Sequence, residues 1–82
     1  MAKIEKLVAA IHAHLAVRIR RERERQSLSM LAVAERAGLS QQMVSYLERG
    51  MRNPSLDTLI RVCDVLGLDL SALIAEAMKK GV

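Results

Sequence analysis

The sequence has a single cysteine, Cys63, a single proline, Pro54, and a single aromatic residue, Tyr46; phenylalanine and tryptophan are absent. One cysteine excludes a disulfide within the chain and fits a reducing, cytoplasmic setting. Cys63 lies in an apolar helical stretch and reads as a small core residue. Without Phe or Trp, a core has to be assembled from Leu, Ile, Val, Ala and Met, which suits closely packed helices. Glycine occurs four times and never before Gly38, so there is no glycine-rich phosphate loop. No apolar run approaches the ~20 residues that a membrane span needs. Lys3 and Lys6 precede an apolar stretch, but His12 and His14 interrupt it and arginines follow, so a signal peptide is not expected. His12 and His14 are two apart, point to different helix faces and cannot form a helical metal pair. No Ser, His and acidic residues have a spacing that makes a catalytic group, and 82 residues leave no room for a deep cleft. Neither an enzyme nor a cofactor or metal site is expected.

What remains is a short chain of helix formers, 51% apolar, with a net charge of +4. The expectation is an all-α fold in one domain, residues 1–82. The positive balance suits a polyanionic partner. Arg18, Arg20, Arg21, Arg23 and Arg25 crowd one stretch, with Glu22 and Glu24 between them. The cluster by itself fits either a basic binding surface or a solvated helix face laced with local ion pairs.

Ile4, Val8, Ile11, Leu15 and Ile19 recur at spacings of four and three, with Leu7 widening the stripe at its start. This predicts one amphipathic helix from about Ala2 to Gln26, near 37 Å long at roughly 1.5 Å per residue. Ser27 and Ser29 interrupt the pattern, and Ser29 is a suitable N-cap for a second helix over Met30 to Ala37. Gly38 can take the positive φ that ends it. Ser40 caps a third helix, which stops before Gly50, and Arg52-Asn53-Pro54 forms a loop. Ser55 caps a fourth, with Asp57 in its first turn and Leu56, Leu59, Val62, Cys63 and Leu66 on its buried face. Gly67 stops it, and a fifth runs from about Ser71 to Lys80.

The informative stretch is residues 29–50. Two short helices that meet steeply need a small residue at their closest approach, and Ala34 fits. They need a turn residue free to adopt φ > 0, an apolar plug after it and apolar residues one turn apart on the second helix. Gly38, Leu39, and Val44 with Leu47 meet those needs, and Val33 and Ala37 complete the inner face of the first. The set predicts a helix-turn-helix. From about Leu15 to Leu73 the sequence resembles the phage repressor/Cro-like family of helix-turn-helix regulators, also called the XRE family. The likeness rests on Ile19-Arg20 and Arg23, Ala34, Ala37-Gly38-Leu39-Ser40, Gln41, Val44-Ser45, Leu47-Glu48-Arg49-Gly50, Asn53-Pro54-Ser55-Leu56, Leu59 and Leu66-Gly67. It implies a five-helix repressor-like DNA-binding domain, here with an extended N-terminal helix over residues 1–13. It also implies a dimeric transcription regulator whose partner is double-stranded DNA.

The third helix, 40–49, then enters the major groove. Gln41 and Gln42 lie in its first turn, and a Gln amide matches the N7 and N6 edge of adenine. Ser45 and Tyr46 follow one turn later as further base contacts; Tyr46 suits a thymine methyl or a phosphate. Ser40 caps the helix and can also reach a phosphate, with Arg49, Arg52 and Asn53 as backbone contacts after it and Arg20 and Arg18 as secondary candidates. The resemblance implies that Arg23 and Glu48 form an ion pair between the first helix and the end of the third.

Two features depart from the family. Met30 stands where the family commonly has a phosphate-holding Gln, and apolar Leu31 follows it. Residues 1–13 lie outside the resemblance and carry an apolar stripe in need of burial. Leu70, Leu73, Ile74, Ala77 and Met78 give the fifth helix its own apolar face. The extension is expected to pack on that helix, of its own chain or of a second one, with Ile4, Val8, Ile11, Leu70, Ile74 and Met78 contributing to a homodimer. The alternative is an antitoxin- or adaptor-type interaction module that binds a protein partner, such as a toxin, through the N-terminal helix and the Met30/Leu31 surface.

Overall fold

A computed structural model describes residues 2–50 and 53–81. Its helices are α1 (Ala2–Arg25), α2 (Met30–Ala37), α3 (Gln41–Glu48), α4 (Leu56–Leu66) and α5 (Leu70–Gly81), and no strand occurs among the described residues. The fold is all-α, as composition and periodicity predict. α1 sets the long dimension: 24 residues at about 1.5 Å each span nearly the whole 37 Å extent of the molecule. None of these helices is long and apolar enough to cross a membrane.

The core is assembled from every helix. Leu15 and Ile19 of α1 meet Val33 and Ala34 of α2, Val44 and Leu47 of α3, Leu59, Val62, Cys63 and Leu66 of α4, and Leu73 of α5. Cys63 is buried, and burial pushes its thiol above the ordinary range, with Asp69 adding to the effect. α5 packs chiefly on α1. That contact half-buries Ile11, Leu70 and Ile74 within the chain itself. Ile4, Val8 and Met78 stay exposed. Across the same seam, Glu76 of α5 accepts from His14 Nε2 at 2.9 Å and from Arg18 Nη1 at 2.5 Å.

Serine capping follows the expected positions. Ser29, Ser40 and Ser55 each accept from the amide three residues on, at 3.0–3.1 Å. Two helix ends differ from expectation. α5 starts at Leu70, one residue earlier than expected, with the Asp69 side chain capping its first turn. The Asp69 carboxylate accepts from the Ser71 hydroxyl at 2.6 Å and from the Ala72 amide at 3.2 Å. At the end of α1, Ser27 takes the left-handed conformation (φ 57°) that glycine usually supplies. The Leu28 amide then bonds back to the Arg23 carbonyl at 3.1 Å, and the chain turns into α2.

Three carboxylates are held below the ordinary range by these contacts: Glu22 at about 2, by Arg25 and Gln26, Asp69 by Ser71 and Ala72, and Glu76 by His14 and Arg18. A carboxylate whose folded pKa is depressed stabilises the fold above its unfolded pKa and loses that contribution as pH falls. The melting temperature, followed by circular dichroism, is therefore expected to hold above about pH 5 and to fall between about pH 5 and 2. Glu22→Gln, which keeps a side-chain acceptor but cannot titrate, should flatten part of that fall.

Candidate nucleic-acid interface

The helix-turn-helix is built by a tight connection. Gly38 adopts φ 71° and ψ 35°, and the Leu39 amide reaches back to the Ala34 carbonyl at 2.8 Å. Leu39 is half-buried against the core, and Val33, Ala34, Ala37, Val44 and Leu47 are buried. A Cβ on Gly38 would lie 3.2 Å from Nη1 of Arg61, which itself donates to the Ala37 carbonyl at 3.2 Å. Gly38→Ala is therefore expected to cost about 1–2 kcal/mol, mostly from the left-handed backbone, read as a lower urea midpoint at unchanged slope.

The angle of α3 is held by a buried ion pair. Arg23 Nε donates to Glu48 Oε2 at 2.5 Å and Nη2 to Oε1 at 2.9 Å, a bidentate arrangement. The third arm, Nη1, donates to the Leu28 carbonyl at 2.8 Å. One guanidinium thus ties the end of α1, the turn after it and the end of α3 together. Arg23 and Glu48 are 9% and 7% exposed, and no buried side-chain nitrogen or oxygen among the described residues lacks a partner. The hydrogen bonds from Arg23 to Glu48 push the guanidinium pKa still higher, so it stays charged.

With Val44, Leu47 and Glu48 inward, a rotation of about 100° per residue places Gln42, Tyr46 and Arg49 on the opposite, outer side of α3. Gln41 and Gln42 are exposed, while Ser45 and Tyr46 are half-buried. Gln42 Nε2 donates to the Tyr46 hydroxyl at 2.7 Å, and the Arg49 guanidinium lies 5.7 Å from the centre of the Tyr46 ring. On one flank Met43, Tyr46, Asn53, Pro54 and Ser55 line a depression, with Asn53 exposed at its rim. On another, Arg20 borders a shallow groove with Arg21 and Glu48, next to the end of α3, and reaches Glu24 at 3.3 Å. Arg18 is placed differently: it is tied to Glu76 on the α5 side. Arg52, named as a phosphate contact, lies outside the described residues. Ser40 is exposed, and its hydroxyl accepts from the Met43 amide. Met30 turns toward the core and Leu31 stays 49% exposed, so the two apolar residues part company.

Three partners had no distinctive signal in the sequence. Arg61 shows as an i, i+4 pair with Asp57, at 2.8 Å, but nothing in the linear order links it to Ala37. Glu76 meets His14 only across two helices. Gln26 donates to the Leu66 carbonyl at 2.8 Å, closing the end of α4 from a distance of 40 residues in sequence.

Helical pairing through Gly38, an exposed polar row on α3 and a buried brace behind it define a helix-turn-helix domain of the DNA-binding class. A family model for the helix-turn-helix matches residues 19–73. The chain belongs to this helix-turn-helix family, in its XRE/Cro-like branch. It is 39% identical over 59 residues to the immunity repressor protein of Bacillus phage phi105, covering 72% of this chain and 41% of that repressor. The uncharacterized HTH-type transcriptional regulator y4dJ of Sinorhizobium fredii is 42% identical over 57 residues, 70% of either chain. The crystal structure of the clp gene regulator ClgR from Corynebacterium glutamicum superposes with a TM-score of 0.74 at 27% identity, covering 85% of this chain and 74% of that one. The chain spans about two-fifths of the length of the first curated relatives it matches.

Proposed function

We propose that this chain binds a specific double-stranded DNA site as a dimer and regulates transcription, with α3 lying in the major groove. The observation that carries this reading is the exposed outer side of α3 at Gln42 and Arg49, flanked by exposed Gln41, on a helix whose other side is locked into the core. Gln41 and Gln42 read base edges, with Ser45 at the margin of the contact. The exposed groups Arg20, Ser40, Arg49 and Asn53 hold the flanking phosphates, with Arg52 of the loop sequence as a further candidate; Arg18 is the weakest of these candidates because Glu76 already engages it. Ile4, Val8 and Met78, 57%, 40% and 45% exposed, supply the apolar surface for a two-fold contact through α1 and α5, with half-buried Ile11, Leu70 and Ile74 contributing less. Two-fold symmetry would space the reading helices about 34–36 Å apart on a near-palindromic site.

Selection of binding sites from random duplex DNA, with the mass of the protein measured in solution, tests both parts. Gln41→Ala and Gln42→Ala are each expected to weaken the selected site by about 1–3 kcal/mol while leaving random-sequence binding unchanged. Enrichment of no sequence would overturn the reading, and a monomeric mass on and off DNA would overturn the dimer. A second reading, an antitoxin- or adaptor-type module, draws on exposed Leu31 of α2. A stable protein partner whose binding is lost in Leu31→Ser would favour it.

A further inference from the structure

We infer that Tyr46 is a positioning residue for Gln42, so that base choice at the position read by Gln42 depends on the Tyr46 hydroxyl. The inference rests on the DNA-reading role of α3 proposed above. A glutamine at the start of a helix has three rotatable bonds and a two-fold ambiguous amide. In water it samples many orientations, and ordering it on a base offsets part of the binding energy. Here the next turn of the same helix supplies a partner. Gln42 Nε2 donates to the Tyr46 hydroxyl at 2.7 Å, across an i, i+4 spacing. One amide hydrogen is thereby taken up along the helix. The second Nε2 hydrogen and Oε1 are not used by this bond, and an amide can offer one donor beside one acceptor. That pair matches the N7 acceptor and N6 donor of adenine.

Tyr46 is itself a fixed platform. It is half-buried, it borders the depression formed with Met43, Asn53 and Pro54, and the Arg49 guanidinium lies over its ring at 5.7 Å. Its two torsions lose little entropy compared with a second long polar chain. The hydrogen bond to Gln42 is solvent-exposed in the isolated protein and contributes little there. Closing the helix into a groove removes competing water, and the same bond then strengthens. The hydroxyl therefore acts on the complex and on its sequence preference, not on the stability of the fold. This assigns Tyr46 a different task from direct contact with a thymine methyl or a phosphate.

The experiment is a double-mutant cycle with site selection. Wild type, Tyr46→Phe, Gln42→Ala and the double variant are titrated with the DNA site selected by the wild type and with variants of that site carrying each base at the Gln42-dependent position. Tyr46→Phe keeps the ring under Arg49 and removes only the hydroxyl. Its affinity for the selected site is expected to drop about fivefold, the size of one net hydrogen bond, with a flattened preference at that single position. In the Gln42→Ala background the same change is expected to have less than about a twofold effect, since the residue it positions is gone. A Tyr46→Phe effect of equal size in both backgrounds, or an unchanged base preference, overturns the inference. Failure of the wild type to select any sequence overturns the DNA-reading role first and this inference with it. Matching melting curves for wild type and Tyr46→Phe exclude a loss of folding as the cause.

Discussion

Glu48→Ala is expected to destabilise the fold by about 3–5 kcal/mol, the range for removing one partner of a buried ion pair. The value follows from what is left behind. Arg23 is 9% exposed, and its Nε and Nη2 donors both lose their acceptors when the carboxylate goes. Arg23 remains charged at any pH in which the protein folds, so it cannot relieve the loss by giving up a proton. Only the Leu28 carbonyl would still accept from it. Arg23→Met combined with Glu48→Leu should cost far less than the sum of the single changes, because it removes both charges and refills the space. Urea unfolding of the three variants checks this. A second readout separates stability from function. The pair joins the end of α1 to the end of α3, so Glu48→Gln, which retains an acceptor, should weaken DNA binding more than its modest stability loss explains. Equal stability for Glu48→Ala and the wild type would show that the pair is dispensable.

Ile19→Ala is the second large effect, with an expected loss of about 2–5 kcal/mol. Ile19 has no exposed surface, and it belongs to the cluster that gathers residues from all five helices. Its removal leaves a void in the shared core, and helices braced by ion pairs and caps cannot all move in to fill it. Small domains have a net stability of only about 5–15 kcal/mol, so this single truncation takes up a large part of it. The control is Ile60→Ala on α4. That isoleucine is 52% exposed, and its loss should stay within about 0.5 kcal/mol. Urea midpoints at constant slope would report both values, and similar losses at the two positions would contradict the burial pattern.

Much of the architecture was legible in the linear order. Ile4, Val8, Ile11, Leu15 and Ile19 announced a single long α1, and serine before each apolar run placed the starts of α2, α3 and α4. These signals are local: a helical period of 3.6 residues and a hydroxyl three residues from the amide it caps need no knowledge of the rest of the chain. Other helix ends depend on bonds that the linear order does not single out. The start of α5 at Leu70 is set by the bond from the Ala72 amide to the Asp69 carboxylate. Ser27 carries no glycine-like signal for a left-handed turn, yet the return of Leu28 to the Arg23 carbonyl holds it there.

By itself, then, the sequence determined the five helices, the helix-turn-helix connection through Gly38 and the polar composition of the α3 surface. Only the tertiary structure decided how the arginines divide. Arg23 turns inward to Glu48, Arg18 to Glu76 on α5, and Arg20 remains at the α1 edge beside α3. It also decided that the extension half-buries Ile11 while leaving Ile4 and Val8 exposed. The reason is physical. Secondary structure is dictated by periodicity within a few residues, whereas the partner of a long charged side chain is set by which helix happens to lie within about 4 Å of its tip, and that depends on how every other helix packs.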